Sequence, residues 1–264
     1  MLGAASEAQD VAQEAWLRWQ RVDEATVENP RAWLNAAVSR LCLDRLKSAQ
    51  HRHESYPGPW LPEPVATETP IDRESISLAF LVLLERLTPV ERAVLLMHRV
   101  FEYRHAEIAT ALEMNEVAVR QAYHRASQHL ATNRPRFAPS TAEHARILRA
   151  FAWAVANGDL PALLHLLAAD ARLYADSGGK VRGAALRPLV GAERVAAFLV
   201  GAVGGALGTS SFAFTVESIN GWPALVARDA GRTFAVVTIE TDGQKVVAVR
   251  NLLNPEKLAL PMVT

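Results

Sequence analysis

The residues best suited to chemistry with a partner lie on one side of a predicted helix at 116–130. Their guanidinium, amide and imidazole groups can bind phosphates and the edges of bases; they are Arg120, Gln121, His124 and Arg125. The segment 117–140 contains four arginines and no carboxylate, so its charge is positive. DNA binding is the functional interpretation, and a helical bundle with a solvated basic face is the structural one. The spacing alone leaves both open.

The elements before this helix predict how it is positioned. Thr88-Pro89-Val90-Glu91 is a capping box with proline at the first helical position, so a helix begins there. A short helix is predicted at 105–112, and the turn 113–115 ends on Asn115 as N-cap. The apolar side of the last helix comprises Val117, Val119, Ala122, Tyr123, Ala126 and Leu130. A short helix, a tight turn and a longer basic helix have the shape that places a recognition helix in the major groove.

Composition excludes several classes of protein. The 264 residues allow two domains, and the formal net charge of zero argues against coating of the whole protein by nucleic acid. One cysteine, Cys42, excludes an internal disulfide and a multi-cysteine zinc site. There is no HExxH, GxSxG or GxxxxGK[ST] pattern, so we expect neither metal nor cofactor. No signal peptide or membrane-spanning apolar run is found, which predicts a cytoplasmic protein without membrane contact.

Two helices are predicted near the N-terminus. Residues 5–20 form an amphipathic helix whose acidic side suits a basic partner or merely solvates the helix. Asn29 and Pro30 open a second helix that continues to Ser48. Its polar side is mainly basic, so it could touch the DNA backbone or only keep the helix soluble.

The rest of the chain divides into a proline-rich linker and an α+β domain. Four prolines in the segment 56–64 exclude a helix there, and we expect Trp60 to dock on a domain surface. Helices at 141–157 and 160–168 precede a strand at 171–176, a turn at 177–180 and a helix at 193–203. Four strands follow at 212–219, 224–228, 233–240 and 245–251, with Asn220-Gly221 and Asp242-Gly243 at hairpin positions. This order predicts helices on one face of an antiparallel sheet.

Together these motifs resemble one family. Residues 1–135 resemble an extracytoplasmic-function sigma factor of bacterial RNA polymerase, and the similarity is carried by SEAQDVAQEAWLRW, NPRAWLNAAVSRLCLDRLKSA and LTPVERAVLLMHRVFEYRHAEIATAL. Residues 141–264 resemble a cone-shaped SnoaL-like domain of the nuclear transport factor 2 superfamily, with a curved antiparallel sheet. The linker YPGPWLPEP and the short motifs DSGGK and NPEKL are similar to those of the subgroup that fuses the two.

The resemblance implies a multidomain fold. Its parts are sigma domain 2 at 1–50, the linker at 51–76, the all-α sigma domain 4 with a helix-turn-helix at 77–133, and the SnoaL-like domain at 141–264. Sigma domain 2 would lack the family's first helix, which implies a misassigned start, or a truncated chain that binds polymerase weakly or not at all. Ser177 replaces the usual glycine of the turn, and the segment 48–52 is poorer in charge than expected, which weakens phosphate binding.

The resemblance also implies partners and site residues. The β′ clamp helices of core RNA polymerase would bind Asp10, Gln13, Glu14 and Trp16. Promoter DNA would be bound at the −10 element by Arg40, Arg45 and Lys47, and at the −35 element by Arg120, Gln121, His124 and Arg125. The C-terminal domain would regulate activity in place of a separate anti-sigma protein, through the interdomain residues Trp60, Leu61, Pro62, Glu63, Asp176, Gly178, Gly179, Lys180, Asn254, Pro255 and Lys257.

Two alternatives stay open. In the first, the sigma half is degenerate and the C-terminal cavity binds a small molecule or acts as a cyclase or epoxide-hydrolase type of enzyme, with Asp176 and Arg250 in catalysis. Burial would raise the pKa of such a carboxylate, and the other polar groups would be Lys180, Arg187, Trp222 and Asn251. We favour a structural role, in which Asp176 fixes a turn and Lys180 pairs with a partner domain, and expect no catalysis. In the second, the chain occupies promoters or polymerase without initiating transcription.

Overall fold

A computed structural model describes residues 1–54, 56–66, 78–133, 140–207 and 212–258. The chain forms two compact units. The helical unit comprises Met1–Ser55 and Phe80–Arg134, and the α+β unit comprises Tyr56–Ala79 and Pro135–Thr264. The end of the predicted linker, 67–76, and the side chain of Phe80 lie outside the described residues.

The helical unit contains six helices and one short 3₁₀ turn among the described residues. They are α1 (Ala5–Trp19), the 3₁₀ turn (Glu24–Thr26), α2 (Pro30–Glu54), α3 (Leu78–Glu85), α4 (Pro89–Arg99), α5 (His105–Leu112) and α6 (Glu116–Asn133). The predicted caps are present: Asn29 accepts the Ala32 N–H at 3.0 Å, and Thr88 and Glu91 form the capping box. Helix α2 extends to Glu54, beyond both the predicted end at Ser48 and the predicted linker start at 51, because no proline or glycine interrupts it before Pro57.

Helix α2 packs into two cores of this unit. One core joins it to α1 and contains Leu2, Val11, Ala15, Leu41, Cys42 and Leu46. The other contains Leu43 of α2 with Ala93, Val94, Met97, Ile108, Ala109, Leu112, Val119 and Ala122 of α4 to α6. The prediction of Val117 as a core residue is wrong, since it is 65% exposed. It lies two residues before Val119, which turns it to nearly the opposite side of α6.

The α+β unit places three helices against a six-stranded sheet. Its described elements are α7 (Thr141–Ala156), α8 (Leu160–Leu166), β1 (Leu167–Asp176), β2 (Leu189–Val190), α9 (Ala192–Leu207), β3 (Phe212–Ile219), β4 (Trp222–Asp229), β5 (Arg232–Thr241), β6 (Val246–Leu252) and α10 (Pro255–Leu258). The strand order is β2-β1-β6-β5-β4-β3. The strands of both predicted hairpins pair antiparallel, in the registers Ile219↔Trp222 and Thr241↔Val246.

One strand pair departs from the predicted antiparallel sheet. Strands β1 and β6 run parallel, with Leu173 opposite Val249 and Asp176 opposite Leu252. They are separated in the chain by β2, α9 and three strands, so no hairpin fixes their direction. The short strand β2 and helix α10 were not predicted. The expected α+β architecture is confirmed, with a mixed sheet.

The core of this unit lies between the helices and one face of the sheet. It is formed by buried side chains of α7, α8 and α9 against β1, β4, β5 and β6, among them Ile147, Leu148, Phe151, Leu163, Val195, Leu173, Leu225, Ile239 and Val249. Within the described ranges, no helix is long and apolar enough to cross a membrane.

Candidate functional site

Helices α5 and α6 form the predicted helix-turn-helix. Glu113 adopts the left-handed conformation (φ 55°) that turns the chain, and Asn115 caps α6 by accepting the Ala118 N–H at 2.7 Å. Val119, Ala122 and Ala126 bury one side of α6. All four predicted −35 residues, Arg120, Gln121, His124 and Arg125, lie on its exposed side. The structure therefore brings them together on one surface.

Both arginines of this group already have carboxylate partners. Arg120 lies 2.6 Å from Glu116, one turn earlier on α6, and Arg125 lies 2.7 Å from Glu91 of α4. Burial acts to raise the pKa of Glu91, but the hydrogen bonds from Arg125 and Thr88 outweigh it and leave the pKa below its usual value. Glu91 therefore stays charged and caps α4 while it positions Arg125.

A histidine pair that the sequence did not predict lies behind α6. The rings of His98 and His105 stack at 4.7 Å, and both meet Tyr123 of α6 edge-on. The Nε2 atom of His105 is buried and has no hydrogen-bond partner among the described residues. Burial, then the charges of His98 and Arg120, lower the pKa of His105. Only the fold reveals this pair, because a loop separates the two residues in the chain.

The predicted −10 residues on α2 do not share one environment. The Arg40 Nε donates to the Ala111 carbonyl at 2.7 Å, and its Nη1 lies 2.9 Å from Glu113 of the helix-turn-helix. Arg45 lies 3.2 Å from Asp10, which was predicted to bind polymerase instead. Lys47 is exposed.

Helices α1 and α2 also form a groove. Trp33 of α2 lies across from Trp19 of α1, with the ring centroids 5.3 Å apart and the planes tilted by 59°. The groove beside Trp33 has a volume of about 220 Å³ and is lined by Arg18, Trp33, Ala36, Ala37 and Arg40. The predicted polymerase-binding residues Asp10, Gln13 and Trp16 are exposed and Glu14 is partly exposed, and Glu14 pairs with Arg18 at 2.6 Å.

A cluster of polar contacts in the α+β unit holds the linker. We call it the linker-binding cluster; it comprises Tyr56, Leu61, Asp176, Asn254 and Lys257. The Asp176 carboxylate is 0% exposed and accepts three hydrogen bonds, from the Tyr56 hydroxyl at 2.5 Å, the Leu61 N–H at 2.7 Å and the Lys257 ammonium at 2.6 Å. Burial, followed by the hydrogen bond to Asp176, raises the pKa of Tyr56. The hydroxyl therefore stays protonated and donates.

Lys257 completes this cluster. Its ammonium also donates to the Leu61 carbonyl at 2.5 Å and lies 4.0 Å from the centroid of the Trp60 ring. The linker therefore supplies a backbone donor, a backbone acceptor, a phenol and an aromatic face to one buried ion pair. Trp60 docks on the α+β unit, as predicted.

The two short C-terminal motifs shape the same place. Asn254 donates to the Tyr56 hydroxyl at 2.8 Å and caps α10 by accepting the Glu256 N–H at 3.1 Å. Gly178 has φ +57°, and a Cβ there would lie 2.7 Å from the Asn254 amide nitrogen. A Cβ on Gly179, whose φ is +74°, would lie 3.0 Å from Pro57. Glycine is thus required by backbone conformation and by close approach of the linker.

The remaining interdomain candidates vary in burial. Pro62 is buried, Glu63 is partly exposed and Pro255 begins α10. Lys180 pairs with Glu256 of the same unit, and its pairing with a partner domain stays a prediction. The turn places Lys180 near α10, whose charges the sequence did not show to be close.

The two residues assigned to catalysis in the enzymatic alternative do not share partners. Arg250 is buried and pairs with Glu240 at 2.6 Å, whereas Asp176 binds the linker. Arg250 and Asn251 are consecutive in β6, so their side chains point to opposite faces of the sheet. Trp222 packs against His144 at 5.2 Å, and Arg187 is exposed. In the part of the chain that the structure describes, no group of three His, Cys, Asp or Glu residues could hold a metal ion.

Comparison with known proteins identifies the family. The model of Sigma-70 region 2 matches residues 1–52, and that of Sigma-70 region 4 matches residues 77–130. These matches cover the α1–α2 pair and the helix-turn-helix. Each part of the helical unit therefore matches a region of the Sigma-70 proteins.

Full-length relatives lie in Mycobacterium tuberculosis. The chain is 35% identical to the ECF RNA polymerase sigma factor SigJ, over 97% of this chain and 87% of that protein. It is 31% identical to SigI, a probable ECF RNA polymerase sigma factor, over 98% and 88%. The crystal structure of SigJ matches with a TM-score of 0.76 at 32% identity and covers 99% of this chain and 93% of that chain. The chain therefore belongs to the extracytoplasmic-function (ECF) RNA polymerase sigma factors, and its fold, including the α+β unit, is shared with SigJ.

Proposed function

We propose that this sigma factor binds core RNA polymerase through α1 and promoter DNA through α2 and α6. The observation that carries the proposal is the helix-turn-helix with four exposed polar side chains on its second helix. Arginine and glutamine on such a helix suit phosphates and base edges. The exposed side of α1 supplies Asp10, Gln13, Glu14 and Trp16 toward the β′ clamp helices.

A reconstituted holoenzyme tests this assignment. The purified chain is mixed with core RNA polymerase. The resulting holoenzyme then transcribes from a library of randomised promoters. We expect Gln121→Ala to change the preferred −35 sequence, because amide contacts to base edges specify bases. Arg120→Ala is expected to weaken binding to all sequences, because phosphate contacts carry no sequence information. A chain that neither binds core polymerase nor directs promoter-specific transcripts would contradict the proposal.

We propose further that the C-terminal domain regulates transcription through the linker. Support comes from the linker-binding cluster, in which one buried ion pair and two close-packed glycines bind the linker. A ligand or partner that displaced the linker would have to break this cluster. If regulation acts through the linker, a change in the pairing of Asp176 with Lys257 must change the yield of transcripts from the promoter.

Variants of two lysines test regulation. Lys257→Met removes the ammonium that bridges Asp176 and the Leu61 carbonyl, whereas Lys180→Met removes only an ion pair with Glu256. We expect Lys257→Met to change transcript yield in the reconstituted assay and Lys180→Met to leave it within about twofold, the scale of an exposed ion pair. Circular dichroism controls for folding of the variants. Equal yields from both variants would rule out regulation at this cluster.

Catalysis has no supporting observation at Asp176. Both carboxylate oxygens are occupied by donors from the linker and Lys257. A general acid or base needs contact with the proton that it transfers. We therefore propose a structural role for Asp176, as expected for a fastening between linker and domain.

A further inference from the structure

The helical unit holds both predicted DNA-binding surfaces in one compact body. Arg40 of α2, predicted at the −10 element, contacts the helix-turn-helix predicted at the −35 element. Asn35 of the same helix donates to the Tyr103 hydroxyl at 2.8 Å, and Leu43 is buried in the core of α4 to α6. The contact between the two regions is therefore apolar at its centre and polar at its edge.

This arrangement does not match the spacing of the two promoter elements. Elements about 25 base pairs apart lie about 85 Å apart along B-DNA, at about 3.4 Å per base pair. A compact body of about 100 residues has a radius of gyration of only about 13 Å. The α2 surface must therefore leave the helix-turn-helix before both elements are bound.

We propose that Arg40 is an autoinhibitory latch, which promoter DNA releases by replacing Glu113 and the Ala111 carbonyl with phosphate. The inference rests on the proposed DNA-binding function of α2. The guanidinium donates one hydrogen bond to the end of α5, at the Ala111 carbonyl, and forms one ion pair with Glu113 in the turn that follows. The Glu113 carboxylate and the Ala111 carbonyl therefore occupy N–H donors of the guanidinium that a DNA phosphate would need. The Arg40 and Glu113 side chains are 44% and 74% exposed, so DNA can reach them and the pair can exchange.

The chain offers a matched control for Glu113. Glu102 also is exposed and left-handed, with φ 58° against 55° for Glu113, and it lies at the other end of α5. Changing either residue to glutamine removes one negative charge near the same helix. Only Glu113→Gln removes the carboxylate that binds Arg40.

Binding of a 30-base-pair duplex of random sequence at low salt tests the latch on the full chain. We expect Glu113→Gln to bind about two- to fivefold more tightly than Glu102→Gln, the scale of an exposed ion pair. In the Arg40→Ala background, Glu113→Gln should give no gain over Glu102→Gln. Equal affinity of the two glutamine variants would overturn the latch, as would a gain that persists without Arg40. Absence of binding by every variant, wild type included, would overturn the proposed DNA-binding function itself.

A distance measurement tests the opening directly. Spin labels at Ala12→Cys of α1 and Ala131→Cys of α6 occupy exposed positions, and native Cys42 is buried. We expect one narrow distance distribution for the wild type and for Glu102→Gln. Glu113→Gln, or addition of the duplex, should add a longer population. An unchanged distribution in both cases would contradict the proposal.

Discussion

The linker-binding cluster and the latch use the same kind of ion pair in opposite ways. Lys257 and Asp176 are 9% and 0% exposed, and the linker satisfies their remaining hydrogen-bonding groups. Arg40 and Glu113 are largely exposed and meet at the edge of a contact. Removing one partner of a buried pair leaves an uncompensated charge, whereas an exposed pair contributes little. The buried pair therefore fastens, and the exposed pair can exchange partners.

The largest effect is expected from Lys257→Met. It leaves the Asp176 carboxylate buried without its cation, so the free energy of unfolding of the α+β unit should fall by about 3–5 kcal/mol. Urea denaturation measures it. Lys180→Met is the control, since its pair with Glu256 is exposed and should cost at most about 1 kcal/mol. Similar losses from both lysines would show that burial does not separate the two kinds of pair.

A smaller loss is expected from Gly178→Ala. Its φ of +57° costs an L-residue about 1–2 kcal/mol, and contact of the new Cβ with Asn254 adds about 1–3 kcal/mol. Gly221→Ala is the control, because φ is +76° there and no described heavy atom outside its chain neighbours lies within 4 Å of the position that the new Cβ would take. Urea denaturation should give the larger loss for Gly178→Ala. If the two variants lose equal stability, the close approach of Asn254 is not a constraint.

Local signals explain how much of this fold could be predicted. The capping box at Thr88 and the hairpin at Asn220-Gly221 involve neighbours in the chain, and both are present as predicted. The parallel pairing of β1 with β6 carries no such local signal. Element boundaries were set by residues that stop a helix, which is why α2 ran on to Glu54.

The site could be predicted only in part, because its pairings join distant residues. The motifs pointed to Asp176, Lys257 and the linker, but not to the hydrogen bond between Tyr56 and Asp176, which are 120 positions apart. From the sequence alone, Lys180 and Lys257 were equivalent candidates. The structure distinguishes them, because Lys257 is buried and Lys180 is exposed. Arg40 was identified from the basic side of α2, and its contact with Glu113 required the packing of that helix.

Acid should weaken the α+β unit through His144. Burial lowers the pKa of His144, although its hydrogen bond with the Ile239 carbonyl opposes the shift. The unfolded state therefore binds more protons, so stability is retained above about pH 6.5, the usual pKa of histidine, and falls as the pH drops below it. Urea denaturation between pH 7 and pH 5 measures this slope. His144→Gln supplies an amide N–H donor in place of the imidazole N–H but does not titrate, so the slope of its stability with pH should be shallower. An equal slope would assign the acid sensitivity to other groups.

The smallest effect is expected from Glu116→Gln on the exposed side of α6. Glu116 and Arg120 are one turn apart and largely exposed, so losing the pair should cost less than about 0.5 kcal/mol. Urea denaturation in 0.05 M and 1 M salt should show that this small loss disappears at high salt, since salt screens the attraction between exposed charges.

Glu91→Gln is the contrast, because its carboxylate is buried, caps α4 and binds Arg125. Its substitution should lower the free energy of unfolding by about 1–2 kcal/mol, and this loss should persist in salt. A cost for Glu116→Gln as large as that for Glu91→Gln would mean that Arg120 is fixed in place. A negligible cost means that Arg120 can exchange Glu116 for phosphate, as Arg40 is proposed to exchange Glu113.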